Sequence, residues 1–325
     1  MASPPPGVYV SSPTFFRPAP EGSGFLEDNV DVEAQLQHSI LLARAGVRGV
    51  VLLGSIGEAI HLSGEERVEL IAGVIKGLEA AGYSGFPVVA GVLTNGVHDT
   101  LAALRDCARA GAPWGLVLAP GYFGKGVTQT NLLNYFNLIA DQSPLPILIY
   151  NCPGFTNQLL VEASTYKALA RHPKIVGCKM THNDVSAHIQ ITTDPEIDHS
   201  RFRVYSGASQ QLAPVVLFGA AGVVDGLAGC YPKTAVRLMK LADIRPVEEA
   251  ALSEMQAIQL AISRGKAFFA KTGLMGIREA IIRKYGLGSL GGGRLPMKGR
   301  MADREWDLLS KPLLADLDKI EASLP

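Results

Sequence analysis

The sequence has no excess charge of either sign, since 30 lysine and arginine residues balance 30 aspartate and glutamate residues. A protein that holds nucleic acid or an anionic membrane through bulk charge needs a basic excess. The sequence also lacks a long apolar run: the longest uncharged stretch, Val204–Val224, contains Pro214 and several serine and glutamine residues. A membrane helix requires about 20 predominantly apolar residues. We therefore expect neither a nucleic-acid partner nor a membrane partner.

Cysteine is scarce, and sorting signals are missing. The four cysteines in 325 residues show neither a CxxC pair nor the spacing of a zinc finger, which predicts reduced thiols rather than a disulfide or zinc scaffold. The first residues carry no basic region followed by an apolar one, and the C-terminal end matches no sorting tripeptide. These absences predict a cytoplasmic protein.

Motifs for metals and nucleotides are weak. The plausible metal cluster is His182, Asp184 and His188, which we interpret as a polar loop because zinc sites assemble several well-spaced ligands. The segment Gly286–Gly291 matches G-x-G-x-x-G, but that fingerprint needs a strand before it and a helix after it. A helical pattern precedes it here, so we interpret it as a helix cap and loop. We expect no metal and no organic cofactor.

Eight short apolar runs, each bounded by turn residues, recur along the chain up to residue 225. Near-continuous apolar runs of this length are typical of parallel strands buried on both faces. Segments with helical periodicity lie between them; Val32–Arg44, for example, places Leu36, Ile40 and Ala43 on one face. The predicted strands are Gly7–Ser11, Gly49–Leu53, Pro87–Val92, Gly115–Ala119, Pro146–Tyr150, Ile175–Lys179, Phe202–Ser206 and Gly222–Asp225.

The order of these segments predicts the architecture. Eight strands alternating with helices are typical of an α/β fold of the (β/α)8 TIM-barrel type, which we predict for residues 1–233, with a helical C-terminal extension, residues 234–325, packed on it. A doubly wound open sheet is the alternative that strand counting leaves open. Ser63 followed by Glu66 predicts a capped helix start. The helices predicted for the extension are Thr234–Asp243, Glu248–Arg264, Ala267–Tyr285 and Asp303–Ile320.

Lys179 closes the apolar run Ile175–Lys179 at its C-terminal end. In a barrel, side chains at that position point into the mouth where the active site lies. A lysine there is partly desolvated, which lowers its pKa and frees the amine to attack a carbonyl carbon. From spacing alone, a lysine that simply reaches solvent is an equally good interpretation.

Two further strand ends carry polar groups. Tyr150 ends the preceding run, so its phenol rims the same mouth or belongs to the core. The segment Gly54–Glu58 follows the second run and opens a helix. Its successive N–H groups and the Ser55 hydroxyl can form a nest for an anion such as a carboxylate, and a tight glycine turn without a ligand is the alternative.

Four ordered motifs resemble one known family. Gly54–Glu58, Pro120–Phe123, Tyr150–Pro153 and Gly177–Lys179 are similar to those of the pyruvate-dependent class I aldolases, the dihydrodipicolinate synthase and N-acetylneuraminate lyase superfamily. The resemblance covers essentially the whole chain. Within the superfamily, the segment around Ser55 looks most like fungal 2-keto-3-deoxy-L-galactonate aldolases, followed by mammalian-type 4-hydroxy-2-oxoglutarate aldolases.

The resemblance implies roles for individual residues. It implies Lys179 as the lysine that forms the Schiff base, Tyr150 as the tyrosine that relays protons, and Tyr122 as the tyrosine that reaches into a neighbouring subunit's site. A homo-oligomer, dimer or tetramer, follows from the role of Tyr122, and the covalent imine with Lys179 replaces any cofactor. The implied substrate-binding residues are Ser55, Ile56, Gly57, Phe155, Thr181, Gly207, Ser209 and Val224.

The implied reaction is the reversible cleavage of a 2-oxo-3-deoxy sugar acid, such as 2-keto-3-deoxy-L-galactonate, into pyruvate and an aldehyde such as glyceraldehyde. The enzyme would be a metal-independent carbon–carbon lyase. Cleavage of 4-hydroxy-2-oxoglutarate into pyruvate and glyoxylate is one alternative, and a Schiff-base dehydratase or hydratase is another. A non-catalytic ligand-binding barrel is disfavoured because both Lys179 and Tyr150 are retained in position.

Three positions depart from the family's pattern. Ile56 replaces a second threonine in the carboxylate loop, a loss of about 1 kcal/mol of binding. Phe155 stands where the synthase branch has an arginine, which argues against dihydrodipicolinate synthase. Gly207–Gln210 stands where the sialate-lyase branch has an acidic pair, which disfavours that branch.

The rim residues that the motifs suggest include no permanent cation. A buried carboxylate normally needs a cation or several N–H donors, so a second carboxylate on the substrate is poorly served. We therefore expect a neutral polyhydroxy aldehyde such as glyceraldehyde to be preferred over glyoxylate. The exception in this argument is His182, which supplies a charge if it is protonated.

Overall fold

The eight apolar runs form one closed sheet. A computed structural model describes residues 2–20 and 27–325, and in it each strand pairs in parallel with the next along the chain, while the last pairs with the first. This confirms the predicted (β/α)8 barrel and rules out the open sheet. The strands are β1 (Gly7–Ser11), β2 (Gly49–Leu52), β3 (Val88–Val92), β4 (Trp114–Leu118), β5 (Ile147–Asn151), β6 (Ile175–Met180), β7 (Arg203–Ser206) and β8 (Gly222–Asp225).

β2 ends one residue earlier than its apolar run predicts. Leu53 has a φ of 60°, in the left-handed region, so the chain turns away from the barrel wall before the loop that begins at Gly54. Gly91 of β3 permits this turn, because a Cβ there would lie 2.1 Å from the Leu53 carbonyl oxygen.

The N-terminal residues close the end of the barrel opposite the strand C-termini. The Trp114 indole N–H, at the start of β4, donates to the Ala2 carbonyl at 2.8 Å, and the Tyr205 hydroxyl donates to the Pro4 carbonyl at 2.7 Å. The rings of Tyr9 and Tyr205 meet edge to face with centroids 5.5 Å apart. The opposite end of the barrel remains open for a site.

In the described part of the chain, eight α-helices surround the barrel, and a pair of two-residue antiparallel strands, Phe16–Arg17 and Asn29–Val30, lies outside it. The predicted capping box is confirmed: Ser63 Oγ accepts from the Glu66 N–H, and the Glu66 carboxylate accepts from the Ser63 N–H at 2.8 Å. The helices are α1 (Val32–Arg44), α2 (Gly64–Ala80), α3 (Val97–Arg109), α4 (Gln129–Gln142), α5 (Ala163–Leu169), α6 (Val185–Thr192), α7 (Leu212–Leu217) and α8 (Pro232–Asp243).

Two long helices complete the chain, α9 (Glu249–Tyr285) and α10 (Asp303–Ser323). α9 packs on the barrel through Gln259, whose amide accepts from the Ala213 N–H and donates to the Ser209 carbonyl. Within the described ranges, no helix has the length and apolar character needed to cross a membrane. The domain division at residue 233 stays a prediction.

The predicted break between Arg264 and Ala267 is wrong. The helix continues through Gly265, where the missing side chain lets Leu317 of α10 pack closely. A Cβ on Gly265 would lie 2.2 Å from the Leu317 side chain. The break lies at Gly273, with φ 61° and ψ −151°. Gly286 ends α9 in the left-handed conformation with its N–H bonded to the Ile282 carbonyl at 2.8 Å, which confirms that the glycine-rich segment begins as a helix cap.

Replacing Gly273 with alanine tests the break in α9. Its backbone conformation is nearly exclusive to glycine, so a side chain there adds strain of about 1–3 kcal/mol. Because nothing lies within 4 Å of the added Cβ, no clash contributes. We expect Gly273→Ala to lower the free energy of unfolding in urea by about 1–3 kcal/mol.

Gly126→Ala is the matched control for this substitution. Gly126 also has open space around a Cβ, but its φ is not positive. Equal stability of the two variants would contradict the conformational explanation.

Candidate active site

A cavity of about 730 Å³ opens at the C-terminal ends of the barrel strands and is covered on one side by α9. Its wall brings together most of the residues that the sequence singles out. Gly57, Ser209 and Tyr122 are not part of this wall. The predicted site residues that line it are Ser55, Ile56, Tyr150, Phe155, Lys179, Thr181, Gly207 and Val224.

Lys179 is buried at the end of β6, with 3% of its surface exposed. It lies beside Tyr150 of β5 in the strand register, and its Nζ is 4.3 Å from the centre of the Tyr150 ring. Burial lowers the pKa of Lys179 to about 8, although Cys152 and Asp225 act to raise it. Near neutral pH, much more of this amine is therefore uncharged than in an exposed lysine.

The Tyr150 hydroxyl lies 3.2 Å from Ser55 Oγ. Burial raises the pKa of the Tyr150 phenol well above its ordinary value, so the phenol stays protonated at neutral pH. An uncharged phenol and an amine that deprotonates more readily than an exposed lysine thus face one cavity. The phenol can relay a proton, but it is not deprotonated in advance and so cannot act alone as a base.

Buried contacts hold the loop that follows β2. The Thr14 hydroxyl donates to the Gly57 carbonyl at 2.6 Å, and Glu58 forms a buried ion pair with Arg278 of α9. The space beside the Gly57 Cα is occupied by the backbone of Leu53. The loop is thereby fixed with Ser55 toward the cavity.

Asp225 is a cavity residue that the sequence analysis did not select, since it chose the neighbouring Val224. The two carboxylate oxygens of Asp225 accept from the Ser209 N–H at 2.9 Å and the Gly226 N–H at 2.7 Å. Burial acts to raise its pKa, but Lys266 and these hydrogen bonds outweigh burial and hold the pKa below its ordinary value. Ser209 therefore contacts the cavity indirectly, through its backbone.

Lys266 of α9 is the second residue that the sequence analysis missed. It lines the cavity, so the expectation that the mouth lacks a permanent cation is wrong. No strand-end pattern points to it, because its place in the wall depends on how α9 packs over the barrel.

Two predicted site residues on loops, Tyr122 and Phe155, are largely exposed to solvent. The Tyr122 side chain is 73% exposed and packs against the ring of Phe123. The Tyr122 backbone is fixed by the Asn95 and Asn157 side chains. Phe155 borders the cavity with 67% of its surface exposed. The placement of Tyr122 leaves its phenol outside this subunit's cavity.

The histidine cluster lies outside the cavity. The rings of His182 and His188 are 5.2 Å apart, and the Asp184 carboxylate caps α6 by accepting from the Ala187 N–H. Burial and the neighbouring His188 lower the pKa of His182, so it is neutral at neutral pH. Across residues 2–20 and 27–325, no group of three or more His, Cys, Asp and Glu side chains is arranged to hold a metal ion.

Comparisons with known proteins point to one family. A model of the dihydrodipicolinate synthetase family matches residues 25–304. The chain is 33% identical over 283 residues to "Probable 4-hydroxy-2-oxoglutarate aldolase, mitochondrial" of Emericella nidulans, covering 87% of this chain and 86% of that one. It is 30% identical over 305 residues to "L-threo-3-deoxy-hexylosonate aldolase" of Hypocrea jecorina, covering 92% of both.

A solved structure shares the whole architecture. A protein from Coccidioides immitis, described as a member of the dihydrodipicolinate synthase family, has a TM-score of 0.79 and 27% sequence identity. The alignment covers 100% of this chain and 99% of that one.

The lowered pKa of Lys179 predicts a pH dependence. The uncharged amine is the reactive form, and its fraction rises as the pH passes the folded-state pKa of about 8. We expect reductive alkylation of Lys179 by a small aldehyde and cyanoborohydride to rise through pH 8 and then level off. Peptide mass spectrometry at each pH measures it, with the exposed lysines, whose ordinary pKa is about 10.4, as internal controls. A midpoint for Lys179 equal to that of the exposed lysines would contradict the assignment.

Proposed function

Because the chain belongs to the dihydrodipicolinate synthetase family, as its motifs predict, we propose that it is a class I aldolase. Its reaction is the reversible cleavage of a 2-oxo-3-deoxy sugar acid into pyruvate and an aldehyde such as glyceraldehyde. The observation that carries this proposal is the buried Lys179 amine, set beside the Tyr150 phenol in an open cavity. The sugar-acid aldolase of Hypocrea jecorina supports the substrate class.

The proposed reaction begins at Lys179. Its uncharged Nζ attacks the C2 carbonyl of the substrate, and loss of water leaves a protonated imine that withdraws electrons from the C3–C4 bond. That bond breaks as the C4 hydroxyl loses its proton, which leaves the aldehyde and a pyruvate enamine. Tyr150 accepts the C4 proton while its own proton passes through Ser55 Oγ, 3.2 Å away, and out to solvent, because a phenol with a raised pKa acts as a relay. Protonation of the enamine at C3 and hydrolysis of the resulting imine then release pyruvate and free Lys179.

The loop after β2 supplies the proposed carboxylate site. The Ser55 hydroxyl and the amides of Ile56 and Gly57 would bind the carboxylate next to C2. With the imine formed on the protein's own lysine, the proposal needs no metal and no organic cofactor.

Cleavage of 4-hydroxy-2-oxoglutarate is the second candidate, and one observation favours it. Lys266 places a permanent cation on the cavity, where it can attract the second carboxylate of a dianionic substrate. The Emericella nidulans relative bears the name of that activity. A dehydratase or hydratase would use the same imine but release no free aldehyde.

Assembly and location belong to the same proposal. The exposed Tyr122 and Phe123 rings suit a contact between subunits, so we propose a homo-oligomer, dimer or tetramer, in which Tyr122 enters the neighbouring subunit's site. We propose a cytoplasmic location, whereas the name of the Emericella nidulans relative places that protein in mitochondria.

Borohydride trapping tests the nucleophile. With pyruvate present, reduction should add one pyruvyl group to the peptide containing Lys179, and Lys179→Ala should prevent both trapping and cleavage. Pyruvate release from 2-keto-3-deoxy-L-galactonate, measured with lactate dehydrogenase, should survive exhaustive treatment with a chelator. Labelling of a different lysine, or activity lost on chelation, would refute the mechanism.

Tyr122→Phe tests the shared site. We expect this variant to lose most turnover, because the missing hydroxyl would belong to the neighbouring subunit's proton path, while pyruvate trapping at Lys179 persists. Sedimentation velocity should give the wild-type oligomer for the variant. A wild-type protein that is monomeric and fully active at assay concentration would disprove the shared-site arrangement.

A further inference from the structure

Two side chains of opposite charge, Asp225 and Lys266, line the cavity together with the reacting lysine. Asp225 ends β8 and has 4% of its surface exposed. Buried carboxylates are rare unless they are paired or hydrogen-bonded. Asp225 meets this condition through hydrogen bonds and also belongs to the cavity wall, so the question is whether it can still bind a ligand.

Asp225 keeps acceptor capacity for a ligand. Each of its oxygens accepts one backbone N–H, from Ser209 and from Gly226. A carboxylate has about four lone-pair positions, so these two bonds orient the group and leave further positions able to accept. The two hydrogen bonds therefore orient the carboxylate and leave lone pairs free to accept from a ligand.

Lys266 keeps donor capacity. Taking residues 2–20 and 27–325 together, its ammonium forms no ion pair within 4.0 Å and no hydrogen bond, whereas Glu58 of the same wall is paired with Arg278. Phe269 and Ile277 of the same helix contribute apolar surface to the wall. Lys266 is therefore the polar group that α9 offers to a substrate here, and, among the described residues, Asp225 of the same wall is the carboxylate that remains outside an ion pair.

We propose that Asp225 and Lys266 form a subsite that selects substrates by their hydroxyl groups and disfavours a second carboxylate. This inference rests on the proposed aldolase function. A polyol suits the two groups, because one hydroxyl can donate to Asp225 while another accepts from Lys266. A carboxylate is attracted by Lys266 but repelled by Asp225, so the pair offers it no net charge.

This arrangement reconciles the cation with a sugar-acid substrate. Lys266 alone would favour a dianion such as 4-hydroxy-2-oxoglutarate. With Asp225 on the same cavity, the attraction is offset, and the hydrogen-bonding pattern of a polyol becomes the distinguishing feature. The preference for one substrate over the other is thus set by the Asp225 charge.

Two substitutions separate the two charges. Asp225→Asn keeps the size of the side chain but leaves Lys266 unopposed, so kcat/KM for 2-keto-3-deoxy-L-galactonate relative to 4-hydroxy-2-oxoglutarate should fall about tenfold or more. Lys266→Met leaves Asp225 unopposed, and the same ratio should rise. Lys271→Met, on the exposed side of α9, is the matched control and should leave the ratio unchanged.

A competition assay gives the same comparison without turnover. L-galactonate and glutarate compete with pyruvate and so protect Lys179 from trapping. Protection by L-galactonate relative to glutarate should fall in Asp225→Asn and rise in Lys266→Met. If the wild type cleaves neither substrate, the proposed function fails, but this competition still decides the subsite. The inference would be overturned if the ratios of sugar acid to dianion stay unchanged, or if they move in the same direction in both variants. If Asp225→Asn does not fold, Lys266→Met and the competition assay decide the question.

Discussion

The burial of the Lys179 amine is the constraint on which the rest of the site depends. Removing a charged amine from water disfavours its charged form, and the resulting pKa of about 8 gives a nucleophile that an exposed lysine does not provide. The barrel supplies this environment because Lys179 lies in the strand register between the buried residues Tyr150 of β5 and Tyr205 of β7. Short strands enclosed on both faces are therefore part of the chemistry as well as of the fold.

The same desolvation acts in the opposite direction on the neighbouring phenol. Burial lowers the pKa of Lys179 and raises that of Tyr150, so it favours the uncharged form of both groups. A neutral pair avoids the free-energy penalty of burying two charges. It also leaves one group able to attack carbon and the other able to pass a proton, a division of roles that environment alone creates.

Much of the fold and part of the site were predictable because they depend on local patterns. Strands buried on both faces must be nearly continuous in apolar residues, and Lys179 and Tyr150 were found because each ends such a strand. The same rule applies to Asp225, the last residue of the run Gly222–Asp225, although it was not selected. Lys266 was not predictable in this way, since its position depends on the packing of α9 over the mouth. The break at Gly273 escaped prediction because the helical pattern of Ala267–Tyr285 continues through it.

The break in α9 at Gly273 explains how residues far apart along this helix line the same cavity. In a straight helix, Lys266 and Ile277 would lie about 16 Å apart along the axis, yet both border the same cavity. The non-helical backbone at Gly273 lies between them and is itself part of the wall. Beyond it, Arg278 binds Glu58 in the loop that presents Ser55. The segment after residue 233 therefore supplies a charged group to the cavity and an anchor to the loop that carries Ser55, so the barrel strands alone do not complete the cavity wall.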